Sequence, residues 1–357
     1  MRIIKGLSGF VYSLFVVITL IVYGLCYWTP SSHWLAGFLM MSFPVLIAIH
    51  GAFLLLFLLA GNRLGLLAGI VLLLGFPFYP RMFKLTTAQP SIVDGKAIRV
   101  VSYNVLRFDE RKMFNKDVND YEQQFKEWIK EQNADIICFQ EFSPFKGSRK
   151  NYTSAWFKKA GYKYSAGNSE SSSEIDGPAI FSRYPLVNKN YLDFDALNGV
   201  VSADAIVHDD TLSVFSVHLH SMTLNLGTLL EEDTYEGRKK EGKITFNKMK
   251  DGWNQRKNEL INLEKELNNT THPVILCGDF NETPFSYVYG RLSKILKNAF
   301  EEKGSGFGFT FNQLPYFIRI DNQFYSGEKL ELLDFKTDNS VKFSDHYPLV
   351  ATYKLIN

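Results

Sequence analysis

The sequence predicts N-terminal transmembrane helices followed by an α/β (α+β) domain, and three observations carry that prediction. The first quarter holds three long uncharged apolar runs. Strand-like and helix-like segments alternate from Ile98 to the end. Carboxylates, amides and histidines collect at the ends of the strand-like segments.

The first apolar run, FVYSLFVVITLIVYGLCYW at 10–28, is long enough to cross a hydrocarbon core of about 30 Å at ~1.5 Å per residue. WLAGFLMMSFPVLIAIHGAFLLLFLLA at 34–60 and the shorter LGLLAGIVLLLGFPFYP at 64–80 follow, which predicts three spans and a membrane anchor over residues 1–84. A cleaved signal peptide competes for the first run, since Arg2 and Lys5 precede it. Its apolar region is ordinarily shorter, however, and no further apolar runs should follow it. Pro44 and His50 inside the second run read as a kink and a partnered histidine. Residues 85–97 (LTTAQPSIVDGKA) read as a polar tether, and the second domain is expected over 98–357.

In that domain strands are expected at 98–105, 135–142, 177–184, 211–221, 273–281 and 350–355, with helices near 119–132 and 251–268. Of the 39 Lys and Arg and 37 Asp and Glu in the chain, residues 1–96 hold six bases and one acid. The remainder therefore carries 33 bases against 36 acids, which argues against a domain that holds nucleic acid mainly through a broad basic face. Cys26, Cys138 and Cys277 form no CxxC or zinc-type spacing, and no disulfide framework is readable.

Asn104 ends the first strand, Glu141 the second, His218 a later one, and Asp279 with Asn281 the next. Asp345 and His346 follow in FSDHYP. Singly, each reads as well as a turn residue as a ligand. In order, SYNV, QEF, FSRYP, SVHL, GDFN, RID and SDHYP closely resemble the endonuclease/exonuclease/phosphatase superfamily, over about 98–354. The group includes DNase I-like nucleases, abasic-site endonucleases, inositol polyphosphate 5-phosphatases and bacterial sphingomyelinases. The resemblance implies a four-layer α/β sandwich, two packed mixed β-sheets with flanking helices, and a site at one edge.

Motif by motif, the resemblance makes Glu141 the principal metal ligand, supported by Asn104 and Asp345, for a hard ion, Mg²⁺ or Mn²⁺. Asp279 resembles the residue that orients and deprotonates the attacking water, with Asn281 holding the same water or the phosphorane. His346 resembles the catalytic histidine, with Asp321 of RID as the acid partner that fits, and the same resemblance implies His218 as a second contact to phosphoryl oxygens. His220 reads as a substrate contact or as a rim residue, and Arg183 and Tyr184 as substrate contacts or as a strand end and turn. One departure stands out: abasic-site endonucleases carry an acid two residues after the strand-ending Asn, and this chain has Leu106 there.

The implied activity is Mg²⁺-dependent phosphoester hydrolysis by direct attack of water, a nuclease-like phosphodiesterase by superfamily prevalence. A lipid-headgroup or inositol-phosphate hydrolase is the alternative, so the implied partner is nucleic acid or a phospholipid or inositol phosphate; no protein partner is inferred. The complete residue set argues against a catalytically inactive, membrane-tethered phosphate-binding module. Between Glu236 and Lys257 lie eight bases and three acids, read as a solvated helix face or a phosphate-recruiting lid. GSGFGFTFNQLPYF at 304–317 is a second candidate rim, able to grip a base or an acyl chain or simply to pack a turn.

The charges flanking the spans predict topology. Arg2 and Lys5 precede the first span, residues 29–33 carry no Lys or Arg, and Arg63 lies in the next loop. The positive-inside rule then puts the amino terminus in the cytoplasm and, after three crossings of a bacterial inner membrane, the second domain outside. Arg81 and Lys84 oppose this, and two crossings with an internal domain is the competing topology.

Overall fold

Short runs that are apolar at every position fold here as strands buried on both faces, and the alternation of side chains sorts each run between two cores. The computed structural model describes residues 2–29, 32–85, 97–108, 118–143, 154–169, 174–195, 197–221, 232–314 and 317–356; the expected tether falls almost wholly outside them.

The first run is one helix, α1 (Arg2–Trp28). The second is broken into α2 (Trp34–Met41) and α3 (Phe43–Leu59), because Pro44 in the first turn of α3 cannot donate a backbone hydrogen bond and crowds the turn before it. The third is α4 (Leu64–Leu74), followed after a short 3-10 turn by α5 (Tyr79–Met82). Among the described residues one helix, Gly9–Trp28, suffices by length and composition to cross a membrane, and up to three crossings result if each bent pair, at 40° and 41°, is one span. His50 is partnered on both ring nitrogens, by Tyr12 at 3.0 Å and Thr19 at 2.8 Å.

The remaining elements are β1 (Lys84–Leu85), β2 (Ala97–Asn104), α6 (Val118–Gln132), β3 (Ile136–Phe142), α7 (Ser154–Lys159), β4 (Tyr164–Ala166), β5 (Gly177–Ser182), β6 (Leu186–Asp195), β7 (Asn198–Val207) and β8 (Asp210–His218). They continue with α8 (Tyr235–Asn269), β9 (Val274–Asp279), α9 (Tyr287–Leu292), β10 (Lys297–Asn298), α10 (Ala299–Lys303), β11 (Ser305–Gly306), β12 (Asp321–Tyr325), β13 (Leu330–Thr337) and β14 (Leu349–Leu355). One mixed sheet has the order β10-β12-β9-β8-β7-β6 and the other β13-β14-β2-β3-β5-β4.

In β9, Ile275 and Cys277 enter the core between the sheets while Val274 and Leu276 face the α8 and α9 side chains Leu260, Leu263 and Val288. In β3, Ile136 and Cys138 enter the same inter-sheet core, and Ile137 and Phe139 pack with Phe125, Trp128 and Phe157 of α6 and α7. Helix, sheet, sheet and helix thus stack in four layers. The pairs β2–β3 and β8–β9 are parallel, so four strands end at one edge of the sandwich.

The helical end of the chain is seated on this sandwich. Trp253 of α8 packs so closely over α2 that a Cβ at Gly37 would lie 2.8 Å from its ring. Phe285 stacks on Phe43 at 4.3 Å, and Lys294 donates to the Trp28 carbonyl at 2.7 Å. Arg81 pairs with Glu301 at 3.6 Å.

Gly278 precedes Asp279 in the tight β8–β9 pair, and a side chain there would overlap the Val217 backbone. Gly278→Ala is expected to cost about 1–3 kcal/mol by overpacking, seen as a melting temperature lowered by several degrees. An unchanged melting temperature would contradict this packing.

Candidate active site

Side-chain parity delivers most of the site. Positions 98 and 100 of β2, 212 and 214 of β8, and 275 and 277 of β9 point between the sheets, so Asn104, His218 and Asp279, which continue those series, open into the same edge of the sandwich. Asp321 starts β12 directly opposite Asp279. Glu141 has the other parity and would face the helices. The β3–β5 register shifts between Phe139 and Phe142, and Glu141 takes a left-handed backbone, φ 48°. A bulge of this kind re-aims a side chain at a local conformational cost. Here it turns Glu141 toward Asn104 and His218.

The resulting cluster is buried and strongly acidic. Asn104 Nδ2 donates to Asp279 Oδ2 at 3.0 Å and reaches Glu141 Oε1 at 3.4 Å. Asp279 Oδ1 accepts the Asn281 backbone N–H at 2.9 Å, and the Asn281 side-chain amide donates to the Leu219 carbonyl at 2.9 Å. His218 donates from Nδ1 to the Leu197 carbonyl at 2.9 Å, which leaves Nε2 facing the pocket. That atom is buried without a hydrogen-bond partner, 3.8 Å from both Glu141 and Asp279.

His346 Nδ1 donates to Asp321 Oδ2 at 2.8 Å, and its Nε2 lies 3.6 Å from Asp279 and 3.9 Å from Asp345. Burial works against its charge, but Asp321, Asp279 and Asp345 outweigh burial and hold its pKa well above the usual range. Burial pushes Asp321 up to about 6, with His346 pulling the other way. Asp345 is raised by burial and by repulsion from Glu141 and Asp279, against His346. Four carboxylates thus face one pocket, and two of them are reluctant to ionise together without further positive charge.

Asp279, Asp321 and His346 offer donor atoms within 4.8 Å of one another and could by geometry hold a cation. The imidazole of His346 spends Nδ1 on Asp321, however, which leaves only Nε2 for an ion, and the carboxylates around it favour its charged form. Glu141 and Asp345 are half-buried oxygen donors, the type a hard divalent ion takes, and Asn104 is fully buried beside Glu141 with its Oδ1 accepting the Leu106 N–H.

Eight of the residues read from the sequence are brought together: Asn104, Glu141, His218, Asp279, Asn281, Asp321, Asp345 and His346. Arg183 and Tyr184 are not. β5 runs antiparallel to β3, so its end lies beside the start of β3, some 20 Å from Glu141 at ~3.3 Å per residue. There Arg183 donates to Asn133 at 2.8 Å and stacks on Tyr162. His220 is part of the wall behind His218: its N–H donates to Glu259 and its carbonyl accepts from Arg256.

The basic run is also corrected in part. RKKEGK forms the first turns of α8, and the helix begins sixteen residues before the expected start at 251. Arg256 is not solvated at all but fully buried, its Nε 2.7 Å from Glu282. The roles of four residues were not legible in the sequence. Arg107 lies 3.6 Å from Glu141, carried there by three successive left-handed residues, 106–108. Thr310 accepts the Ile320 and Asp321 N–H groups, and Arg256 with Glu282 holds the chain after His218. Only the strand-ending position before Arg107 carried any signal.

A family model described as the endonuclease/exonuclease/phosphatase family matches residues 101–346. The chain belongs to that family. It is a phosphoester hydrolase, and members of this family generally use a divalent metal. A second model, described as a domain of unknown function, matches residues 5–82. No curated protein matches the chain. Among solved structures, the fold is similar to the human Nocturnin catalytic domain with bound sulfate anion, at 18% identity and TM-score 0.52, over 73% of this chain and 95% of that one. It is similar to an endonuclease/exonuclease/phosphatase from Beutenbergia cavernae at 15% identity and TM-score 0.51, over 73% and 72%. A humanized D. rerio TDP2 aligns at 14% identity and TM-score 0.50, over 73% and 100%.

Asp321→Asn removes the carboxylate that sustains the His346 charge, so His346 should lose its proton at lower pH. The alkaline limb of the pH–rate profile is expected to move to lower pH in a folded protein, and an unmoved limb would detach the charge of His346 from Asp321.

Proposed function

We propose that the pocket hydrolyses a phosphodiester or phosphomonoester by direct attack of water, with Mg²⁺ or Mn²⁺ held by Glu141, Asn104 and Asp345. The observation that carries this reading is the meeting of Glu141 and Asp279 around a buried His218 Nε2 that has no hydrogen-bond partner, with Asp345 close enough to be repelled by both carboxylates. A buried ring nitrogen without a hydrogen-bond partner and an excess of carboxylate are what a phosphoester and a cation together would satisfy. When bound, the ion supplies positive charge to a phosphoryl oxygen.

Asp279 is the general base in this scheme. Asn104 and the Asn281 N–H fix both of its oxygens, and it orients water and takes its proton. The His346 imidazolium donates to the non-bridging oxygens, where charge grows as water attacks, and His218 Nε2 faces the same oxygens. Asp321 keeps His346 charged and oriented. Asn281, fixed by the Leu219 carbonyl, borders the water. Arg183 and Tyr184 take no part, and His220 serves the wall.

The N-terminal segment 1–84 is read as a membrane anchor joined through 85–97 to a catalytic domain at 98–357, with that domain extracytoplasmic at a bacterial inner membrane. The contacts support three crossings: Trp28, the α2 residues Gly37 and Phe38, and Arg81 all touch the sandwich, so the far ends of the helices, with Arg2, Lys5 and Arg63, point the other way.

Three outcomes are expected. Chelation abolishes turnover and Mg²⁺ or Mn²⁺ restores it, whereas a fully active Glu141→Ala protein in excess chelator would refute the ligand. Asp279→Asn and His346→Ala each lower kcat at least about 10²-fold while folding survives; near-normal turnover would remove the corresponding role. An alkaline-phosphatase fusion after Asn357 is active and a fluorescent-protein fusion dark, the reverse pattern contradicting the topology.

A further inference from the structure

Three segments that leave the catalytic cluster run onto the ends of the N-terminal helices. Four residues after Asn281, Phe285 stacks on Phe43. One turn before Arg256, which binds the His220 carbonyl, Trp253 packs on Phe38 at 4.4 Å. The third is the segment between α10 and β12. Phe311 lies edge-on to His346, ring centroids 5.2 Å apart. Phe309 meets Phe317 at 5.6 Å and stacks on Phe307 at 5.3 Å, and Phe307 meets Phe83 at 4.9 Å. Lys84 and Leu85 pair there with Gly306 and Ser305 as the β1–β11 ladder. An aromatic ridge built on Phe307, Phe309 and Phe317 therefore begins at the residue that follows α5, and the same segment carries Phe311 to His346 two residues beyond Phe309.

Much of this ridge is bare: Phe317 is 76% exposed, Phe307 49%, Leu314 41% and Leu85 88%. A contiguous apolar surface of this kind marks an interaction site. We infer that the ridge dips into the headgroup layer of the bilayer that holds the N-terminal helices, and that the pocket takes its phosphoester from that surface as a phospholipid headgroup. The inference rests on the membrane and phosphoester readings above.

Continuity selects the occupant. The ridge begins where the third apolar segment ends, and aromatic side chains favour the membrane–water interface. A single-stranded nucleic acid would also stack on aromatics, but it requires basic side chains beside them. Residues 304–318 contain no Lys or Arg. Arg319, next in sequence, is buried over the Phe300 ring with Nη2 donating to the Arg81 carbonyl. The bases beside the ridge are Lys84, paired with Gly306, and Lys303 at its start, both at the end nearer α5, so the aromatic surface from Phe307 to Phe317 has no basic groove along it for a polyanion.

The test uses the full chain reconstituted in phosphatidylcholine vesicles. With a fluorophore on Phe317→Cys, the natural Cys26, Cys138 and Cys277 being buried, nitroxide near the lipid headgroup should quench emission; quenching only by an aqueous agent overturns the docking. A Phe307→Ser/Phe317→Ser double variant should lose at least about tenfold in hydrolysis of phosphatidylglycerol or sphingomyelin carried in the same vesicles. Hydrolysis of bis(4-nitrophenyl) phosphate in water should stay unchanged. Equal losses on both, or a loss confined to an oligodeoxynucleotide, would overturn the lipid assignment, as would a native protein that cleaves soluble esters and no lipid. A native protein that cleaves nothing defeats the phosphoesterase reading instead, and the quenching result then decides the ridge alone.

Discussion

Repulsion among Glu141, Asp279, Asp321 and Asp345 is the constraint around which the catalytic edge is organised. Two sheets bring these carboxylates to one pocket, and burial removes the water that would otherwise screen them. Each neighbour answers that charge. Asn104 bridges the sheets with a donor, the carboxylates favour the charged form of His346, and Arg107 stands at the rim. What remains is an excess of oxygen donors at the less buried side, a demand that a hard cation meets.

Rigidity at this edge comes from backbone contacts made behind it. Leu219 N–H donates to the Asp279 carbonyl, Phe280 N–H to Ile320, and Tyr347 N–H to Thr310, so the segments carrying His218, Asp279, Asp321 and His346 are laced to one another. The buried Arg256–Glu282 pair adds a clamp from α8, with Arg256 also holding the His220 carbonyl. Removing one partner would strand a buried charge, which is why such pairs fix geometry more than they add stability.

The sequence made the strand ends legible because alternation and parallel pairing follow from local pattern. Asn104, His218 and Asp279 sit where a period of two puts them. Glu141 was found by its motif alone, since its parity is wrong and only the left-handed bulge corrects it. Arg183 and Tyr184 misled because a strand-ending motif says nothing about strand direction, and β5 is antiparallel. Arg256 was hidden inside a basic run, as composition cannot distinguish a solvated arginine from one that meets Glu282 across the fold. Nor did the apolar runs announce that Phe285 and Trp253 would lock the helices to the catalytic loops.

Where the cation sits decides the roles of Glu141 and His346, and it is separable from turnover. Mn²⁺ binding to the full chain, followed by electron paramagnetic resonance, tests it directly. Glu141→Gln is predicted to weaken binding at least about tenfold, while His346→Gln leaves it intact. Loss of binding in His346→Gln with full binding in Glu141→Gln would place the ion on Asp279, Asp321 and His346 and contradict the account.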